Sequence, residues 1–555
     1  MTRMKTDKYH QTRHGFFSGP FARFAGKQCR QIVLLGCLGL ACARAAEPAF
    51  LFAEATIDDL QARMAAGSLT ARELTAAYLQ RIADVDKAGP KINAIIELNP
   101  DALAIATQLD AERKAGRVRG PLHGIPILLK DNIATADRME TTAGSLALVG
   151  LKPTRDAHLV ARLRDAGAVI LGKTNLSEWA NFRGERSISG WSGRGGQTRN
   201  PYVLDRSPSG SSSGSAAAVA ANLCVAAVGT ETSGSIISPS SACGIVGFKP
   251  TVGLVSRSGV IPIAATLDTA GPMTRTVRDA ALVLAALAGV DARDAATQGL
   301  PVGLTEKLAA ALPAGALRGA RIGFVRLAGL RPDLDAVQAA ALAALRAAGA
   351  AVIEVGEFPG LAAASAPRIE VMLYEMKAGI DAYLAELGPA SPMKTMADLI
   401  RFNDEHWARE QPLFGQQYFL RAQAKGPLTD AACLEARAAC RRLGRTEGVD
   451  ALMDKHYLDA LVSVANSPAA LIAPPAGGDP VFGAKGPGGG GSAPAALAGY
   501  PSVTVPVADV AGLPVGFLFF GRAWSEPKLL ALAADFESHT RARRPPAFLP
   551  PITAR

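Results

Sequence analysis

From Gly120 onward the chain alternates short unbroken apolar runs with stretches whose apolar residues return every three or four positions. Ile322–Val325, Ala351–Val355 and Ser502–Val505 have strand character, while the runs Ile125–Leu129, Ala168–Leu171, Cys224–Val228 and Val515–Phe520 are too short for helices and too continuously apolar for one-sided strands. They read as strands buried on both faces. Between them His158–Asp165, Ser215–Asn222 and Leu334–Ala347 carry helical periodicity. Upstream, Thr56-Ile-Asp-Asp59 and Thr70-Ala-Arg-Glu73 are capping boxes that open two short amphipathic helices. Helices between buried strands predict an α/β fold: one large α/β/α domain with a mixed central sheet covered by helices. Residues of about 365–460 are richer in charge and helix-like, and read as a helical insertion. Pro474 to Ser492, with four consecutive glycines from Gly488 to Gly491, reads as a flexible loop. It is no phosphate-binding loop, because no Lys-Ser/Thr follows the glycines and no strand feeds them.

Charge changes this picture only at the start of the chain. The formal net charge is +10, but residues 1–46 hold eight Lys/Arg against the single acid Asp7, so +7 lies there and +3 in the rest. Without a basic run interleaved with aromatics in that remainder, nucleic acid is not an expected partner. The basic leader continues into Ile32–Ala43 and the small-residue site Ala43-Arg-Ala45, the layout of a signal peptide. The apolar stretch is well short of the roughly 20 residues that span a bilayer. The expectation is an exported protein, periplasmic or secreted, with a leader over 1–46, a main domain over 47–555 and no stable membrane span in the mature form. Leu34-Leu-Gly-Cys37 also offers a loose lipoprotein-like match. Oligomeric state is left open. Outside the leader lie Cys224, Cys243, Cys433 and Cys440. Cys433 and Cys440 would stand about 10 Å apart along a helix, too far for a disulfide. The other two sit in apolar runs and read as small buried hydrophobes.

The candidate chemistry is concentrated in two small-residue loops. Ser207-Pro-Ser-Gly-Ser-Ser-Ser-Gly-Ser215 and Gly229-Thr-Glu-Thr-Ser-Gly-Ser-Ile236 place Ser211 and Ser235 beside very apolar flanks. A serine hydroxyl needs a base to become a nucleophile, and a developing oxyanion needs backbone N–H groups that small residues leave approachable. Lys130 closes the apolar run Gly124-Ile-Pro-Ile-Leu-Leu-Lys130, where burial lowers a lysine toward neutrality. The histidines beyond the leader (His123, His158, His406, His456, His539) are scattered, so no metal site is expected, and hydrolysis by a serine requires no cofactor.

These loops, together with Gly247-Phe-Lys-Pro-Thr251 and Leu513-Pro-Val-Gly516, resemble the amidase signature family over roughly residues 50–545. Lys173-Thr-Asn-Leu-Ser-Glu-Trp-Ala-Asn-Phe-Arg-Gly184 and Thr251-Val-Gly-Leu-Val-Ser-Arg257 make the chain most similar to the peptide amidases. The resemblance implies a Ser-Ser-Lys triad with Ser235 as nucleophile, Ser211 as proton relay behind a cis peptide bond, and Lys130 as the neutral base. It also implies an oxyanion hole of backbone N–H groups from Thr232, Ser233, Gly234 and Ser235. Against the commonest family pattern, Ser209, Ser213 and Ser233 replace glycines and Glu231 replaces an aspartate, which marks a subgroup. Asp131 and Asn132 are expected to support the lysine rather than exchange protons. Trp179 and Phe182, with the segment after Ser365, are candidate walls of a substrate groove.

The implied reaction is hydrolysis of carboxamides, above all the C-terminal amides of peptides, to free acid and ammonia. A broad amidase of small aliphatic or aryl amides is the alternative within the class. The amidase-like component of a tRNA-dependent amidotransferase complex is the alternative outside it, and an export leader opposes that one because charged tRNA is cytoplasmic. A non-catalytic protein on the same fold is disfavoured because all three triad positions are filled.

Overall fold

In a computed structural model the described residues are 50–310, 312–326, 332–389, 391, 393–472 and 491–550. The expected leader over 1–46 and nearly all of the loop expected over Pro474–Ser492 lie outside them. Thr56 and Thr70 each accept the N–H of the residue three positions on and receive its carboxylate in return, which starts the helices Ile57–Ala65 and Ala71–Arg81. These reciprocal bonds satisfy N–H groups that a helix start otherwise leaves open.

Thirteen strands follow among the described residues: β1 (Ile95–Leu98), β2 (Pro126–Lys130), β3 (Val169–Thr174), β4 (Trp191–Ser192), β5 (Gly196–Gln197), β6 (Ala226–Glu231), β7 (Val246–Lys249), β8 (Thr269–Thr274), β9 (Arg321–Val325), β10 (Ala351–Gly356), β11 (Ala460–Val464), β12 (Ser502–Val510) and β13 (Leu513–Phe520). All but the small β4–β5 ribbon join one mixed sheet in the order β1-β3-β2-β6-β8-β7-β12-β13-β11-β9-β10. The apolar runs at β2, β3, β6 and β13 become fully buried members. β9 and β12 are buried except towards one end, and β10, at the edge of the sheet, is half-buried to exposed rather than covered on both faces. β11 is also fully buried but was not among the runs, and helices cover both faces. The fold is the α/β class expected.

β8 is the strand least visible in the sequence. Its Thr-Ala-Gly-Pro-Met-Thr carries the two residues most depleted from strands, yet Pro272 stands opposite Val228 of β6 in the interior of the sheet. Burial outweighs propensity there.

Two alignments position the site. β2 and β6 run parallel with Leu129 beside Val228, so their carboxyl ends bring Lys130 next to Thr230. β8 runs antiparallel to β6 with Thr269 opposite Glu231, which sets Asp268 beside Thr232. The carboxyl edge of an open α/β sheet is where such folds place ligands.

The expected insertion is helical, with Ser365–Glu386, Met396–Glu405, Trp407–Glu410, Gln417–Gln423, Ala431–Arg441 and Asp450–His456 among its helices. Arg183, wholly buried, ties it down: its Nε lies 2.6 Å from Glu178 Oε1, its Nη2 donates to Glu410 O at 2.7 Å, and its guanidinium sits 4.4 Å from the Phe414 ring. All four cysteines outside the leader are free and buried. No helix among the described residues is long and apolar enough to cross a membrane.

Candidate active site

Lys130 ends β2 with no solvent exposure. Its Nζ lies 2.7 Å from Ser211 Oγ, 2.8 Å from Thr230 Oγ1 and 3.3 Å from Thr230 O. Loss of hydration pulls its pKa down to about 7, against a smaller upward pull from Asp268 and Glu231, because a buried ammonium gives up solvation that these carboxylates do not replace. Asn132 Nδ2 donates to the same Thr230 hydroxyl at 3.0 Å. Asp131 turns the other way, holding Thr142 Oγ1 at 2.5 Å and Gly144 N at 3.3 Å. Asn132 thus shares a partner with the lysine, whereas Asp131 serves the Thr142–Gly144 turn and the Lys173 side instead.

Ser211 lies on the loop that enters the helix Ser213–Ala220, and the Gly210–Ser211 peptide is cis. Gly210 is closely packed: a Cβ there would come within 2.3 Å of Ser177 Oγ, so a larger residue would have to displace that side chain. The replaced glycines are accommodated one by one. Ser209 adopts φ +61°, a left-handed conformation uncommon outside glycine. Ser213 Oγ donates to Ser209 O at 2.7 Å. Ser212 Oγ bridges the two loops, donating to Thr230 O at 3.1 Å and accepting from Thr230 N at 3.2 Å.

The second loop is closed by Glu231. Its Oε2 accepts Ile236 N at 2.8 Å and Ile237 N at 3.0 Å, which arches residues 232–235 between carboxylate and helix start. Gly234 takes φ +90° at the crest. Among the described residues no acceptor engages the backbone N–H groups of Ser233, Gly234 or Ser235, so they remain open to a ligand oxygen, as in an anion-binding nest. Thr232 Oγ1 donates to Asp268 Oδ1 at 2.5 Å, and Asp268 Oδ2 accepts from Ile263 N and Ala264 N at 2.8 Å each. Burial raises Asp268 to about 6.

Ser235 is partly exposed, and its carbonyl accepts Ser212 N at 3.1 Å. This backbone bond draws the two serine loops together. No hydrogen bond joins the Ser211 and Ser235 hydroxyls among the described residues, so the lysine-to-serine contact is formed and the serine-to-serine contact is not. The arrangement can pass a proton between a hydroxyl and a neutral amine beside an open set of backbone donors. A cavity of about 190 Å³ adjoins it, lined in part by Asn132, Ala180, Thr230, Thr232, Arg257 and Ile261.

The aromatic expectation needs correcting. Trp179 and Phe182 are 2% and 0% exposed, Trp179 edge-on to Phe419 and Phe182 stacked on Tyr418 at 4.4 Å. Both rings are committed to the junction with the insertion, and neither faces an open groove. Between them Ala180 lines the cavity. The segment after Ser365 does reach the site, through Arg368, whose Nη1 donates to Ser233 Oγ at 2.9 Å. Thr230, Asp268 and Arg368 went unread in the sequence. The first two are placed by strand register, and the third is an ordinary helical arginine until its contact is seen.

Residues 73–530 match the family model described as Amidase. The peptide amidase of Stenotrophomonas maltophilia is 52% identical, with 90% of this chain and 99% of that one covered at a TM-score of 0.85. A probable amidase of Arabidopsis thaliana is 39% identical over 90% of this chain and 93% of its own. A putative amidase of Schizosaccharomyces pombe is 36% identical over 89% and 87%. The chain thus belongs to the amidase signature family and is an amide-hydrolysing enzyme.

Proposed function

We propose that this amidase removes the C-terminal amide of peptides, with Ser235 as nucleophile, Ser211 as relay and Lys130 as base. The contact of 2.7 Å between Lys130 Nζ and Ser211 Oγ, made by a lysine held near neutrality, carries the reading. The likeness to a peptide amidase supports the substrate class.

Ser235 Oγ attacks the amide carbonyl carbon and passes its proton to Ser211 Oγ, whose own proton goes to Lys130 Nζ. The oxyanion settles against the N–H groups of residues 232–235, donors worth about 3 kcal/mol each in such sites. Lys130 returns the proton through Ser211 to the nitrogen, the C–N bond breaks and ammonia leaves. Water then takes the place of Ser235 by the reverse path and releases the acid. A base with pKa near the working pH suits both directions of transfer.

The test is ammonia release from a blocked peptide amide by wild type, Ser235→Ala and Lys130→Ala, with the internal peptide bonds followed by mass. Release by wild type alone from an uncut backbone supports the reading. No release from any peptide amide overturns the substrate class. Export by the leader over 1–46 belongs to the same proposal, and recovery of a shortened N-terminus outside the cytoplasm checks it.

A further inference from the structure

Arg368 stands out among the charged groups at the site. It enters from the first turn of the insertion helix Ser365–Glu386, a turn without acidic residues. Its Nη1 rests on the Ser233 hydroxyl, while its Nε is buried with no partner among the described residues. Burial lowers its pKa, and the ionisable groups opposing that shift are Cys440 and Tyr418, which burial itself keeps protonated and neutral. By contrast Arg183, Arg257 and Arg437 each lie within 3 Å of a carboxylate. The residue as a whole is half-buried, but its Nε edge is closed off from water without a counter-charge, which is costly, and an anion restores what that burial removes. Guanidinium and carboxylate also match in shape, through paired N–H donors.

Ser233 gives this arginine its place. The family's usual glycine would offer no hydroxyl there, whereas Ser233 Oγ accepts Nη1 two residues before Ser235. A neutral hydroxyl fixes the position of the cation without cancelling its charge.

We propose that Arg368 is a specificity-determining residue that binds a carboxylate on the acyl side of the substrate, in the side chain of the residue bearing the amide. The proposal rests on the peptide-amide reading and narrows it to acidic residues at that position.

The test uses the full chain and two blocked dipeptide amides, one ending in glutamate amide and the other in its neutral γ-methyl ester. The measured quantity is the ratio of their kcat/KM values for ammonia release, in which any general loss of activity cancels. The expected ratio in wild type is about tenfold or more in favour of the acid, the effect of one charge-assisted contact. It falls to near unity in Arg368→Gln, and in Arg368→Glu the preference moves to lysine amide. A wild-type ratio near unity overturns the proposal while the peptide-amide function stands, and this arm needs no variant to fold. A ratio that persists in Arg368→Gln overturns it as well. Wild type inert on every peptide amide overturns both readings.

Discussion

Lys130 and Lys173 lie on neighbouring parallel strands, both wholly buried, and project to opposite faces of the sheet because Lys173 is in register with Leu129. Burial pulls the first to about 7 and the second to about 8. Depth alone therefore does not set Lys130 apart as the proposed base. Their partners do. Lys173 Nζ meets the Ile133 carbonyl at 2.6 Å and Thr141 Oγ1 at 2.8 Å, with Asp131 the largest opposing charge. A carbonyl only accepts and a carboxylate favours the ammonium, so although Thr141 adds one hydroxyl, these partners suit a structural cation. Lys130 meets two hydroxyls at under 3 Å, and a hydroxyl can give a proton as well as take one. The acids that act on its charge, Asp268 and Glu231, already hold Thr232 and the backbone of residues 236, 237, 263 and 264.

That contrast breaks most sharply in a pair of methionine variants. Lys130→Met should lower kcat/KM for ammonia release by about 10⁴- to 10⁶-fold, the order that loss of one member of a hydroxyl-nucleophile triad costs, with stability unchanged or raised, because relief from burying the amine outweighs the Ser211 hydroxyl left without its partner. Lys173→Met should do the reverse. It leaves Asp131 buried with Arg194 as its remaining cation at 3.5 Å and should cost about 3 kcal/mol of unfolding free energy, with activity per folded molecule retained. Denaturant titration beside active-site counting separates the two effects, and similar behaviour of both variants would remove the distinction.

Thr230→Val sharpens the account on the Lys130 side. It deletes the hydroxyl shared by Lys130 and Asn132 and should lower kcat by about tenfold to a hundredfold by misplacing the amine, with KM little changed. The effect spread most thinly, over several pH units, is on stability against pH. Each lysine titrates lower in the folded chain than at the unfolded value of about 10.4. Between about 7 and 10.4 the unfolded chain thus binds the proton that native Lys130 has lost, and stability rises with pH across that window. The destabilisation is complete below about 7. Lys130→Met should flatten that slope by about 1.4 kcal/mol per pH unit at most, measurable by denaturation at pH 7.5, 8.5 and 9.5.

How much of this was legible in the sequence depends on range. The capping boxes at Thr56 and Thr70 are local, and both helices start there. Fully buried β2 and β6 announce themselves as apolar runs, and the small-residue loops that follow them stand out for the same reason. β8 was hidden because its glycine and proline are tolerated only through the neighbours that enclose it. Within the site, Lys130, Ser211 and Ser235 were readable from residue type and family pattern. Thr230 was not, since its contact with Lys130 follows from the β2–β6 register. Trp179 and Phe182 misled because nothing local tells an aromatic that lines a groove from one that anchors an insertion arriving more than 200 residues later. Arg368 is set apart by missing partners, and an absence of that kind has no signal along the chain.

The central claim is that Lys130 works as a neutral base. The most direct test is kcat/KM for ammonia release from a blocked peptide amide between pH 5 and 9, in wild type and Lys130→Ala. The account predicts a wild-type profile that rises about tenfold per unit at low pH and levels off above about 7, with that rise absent from the residual activity of the variant. A wild-type profile flat through pH 7, or one that Lys130→Ala leaves in place, would contradict it.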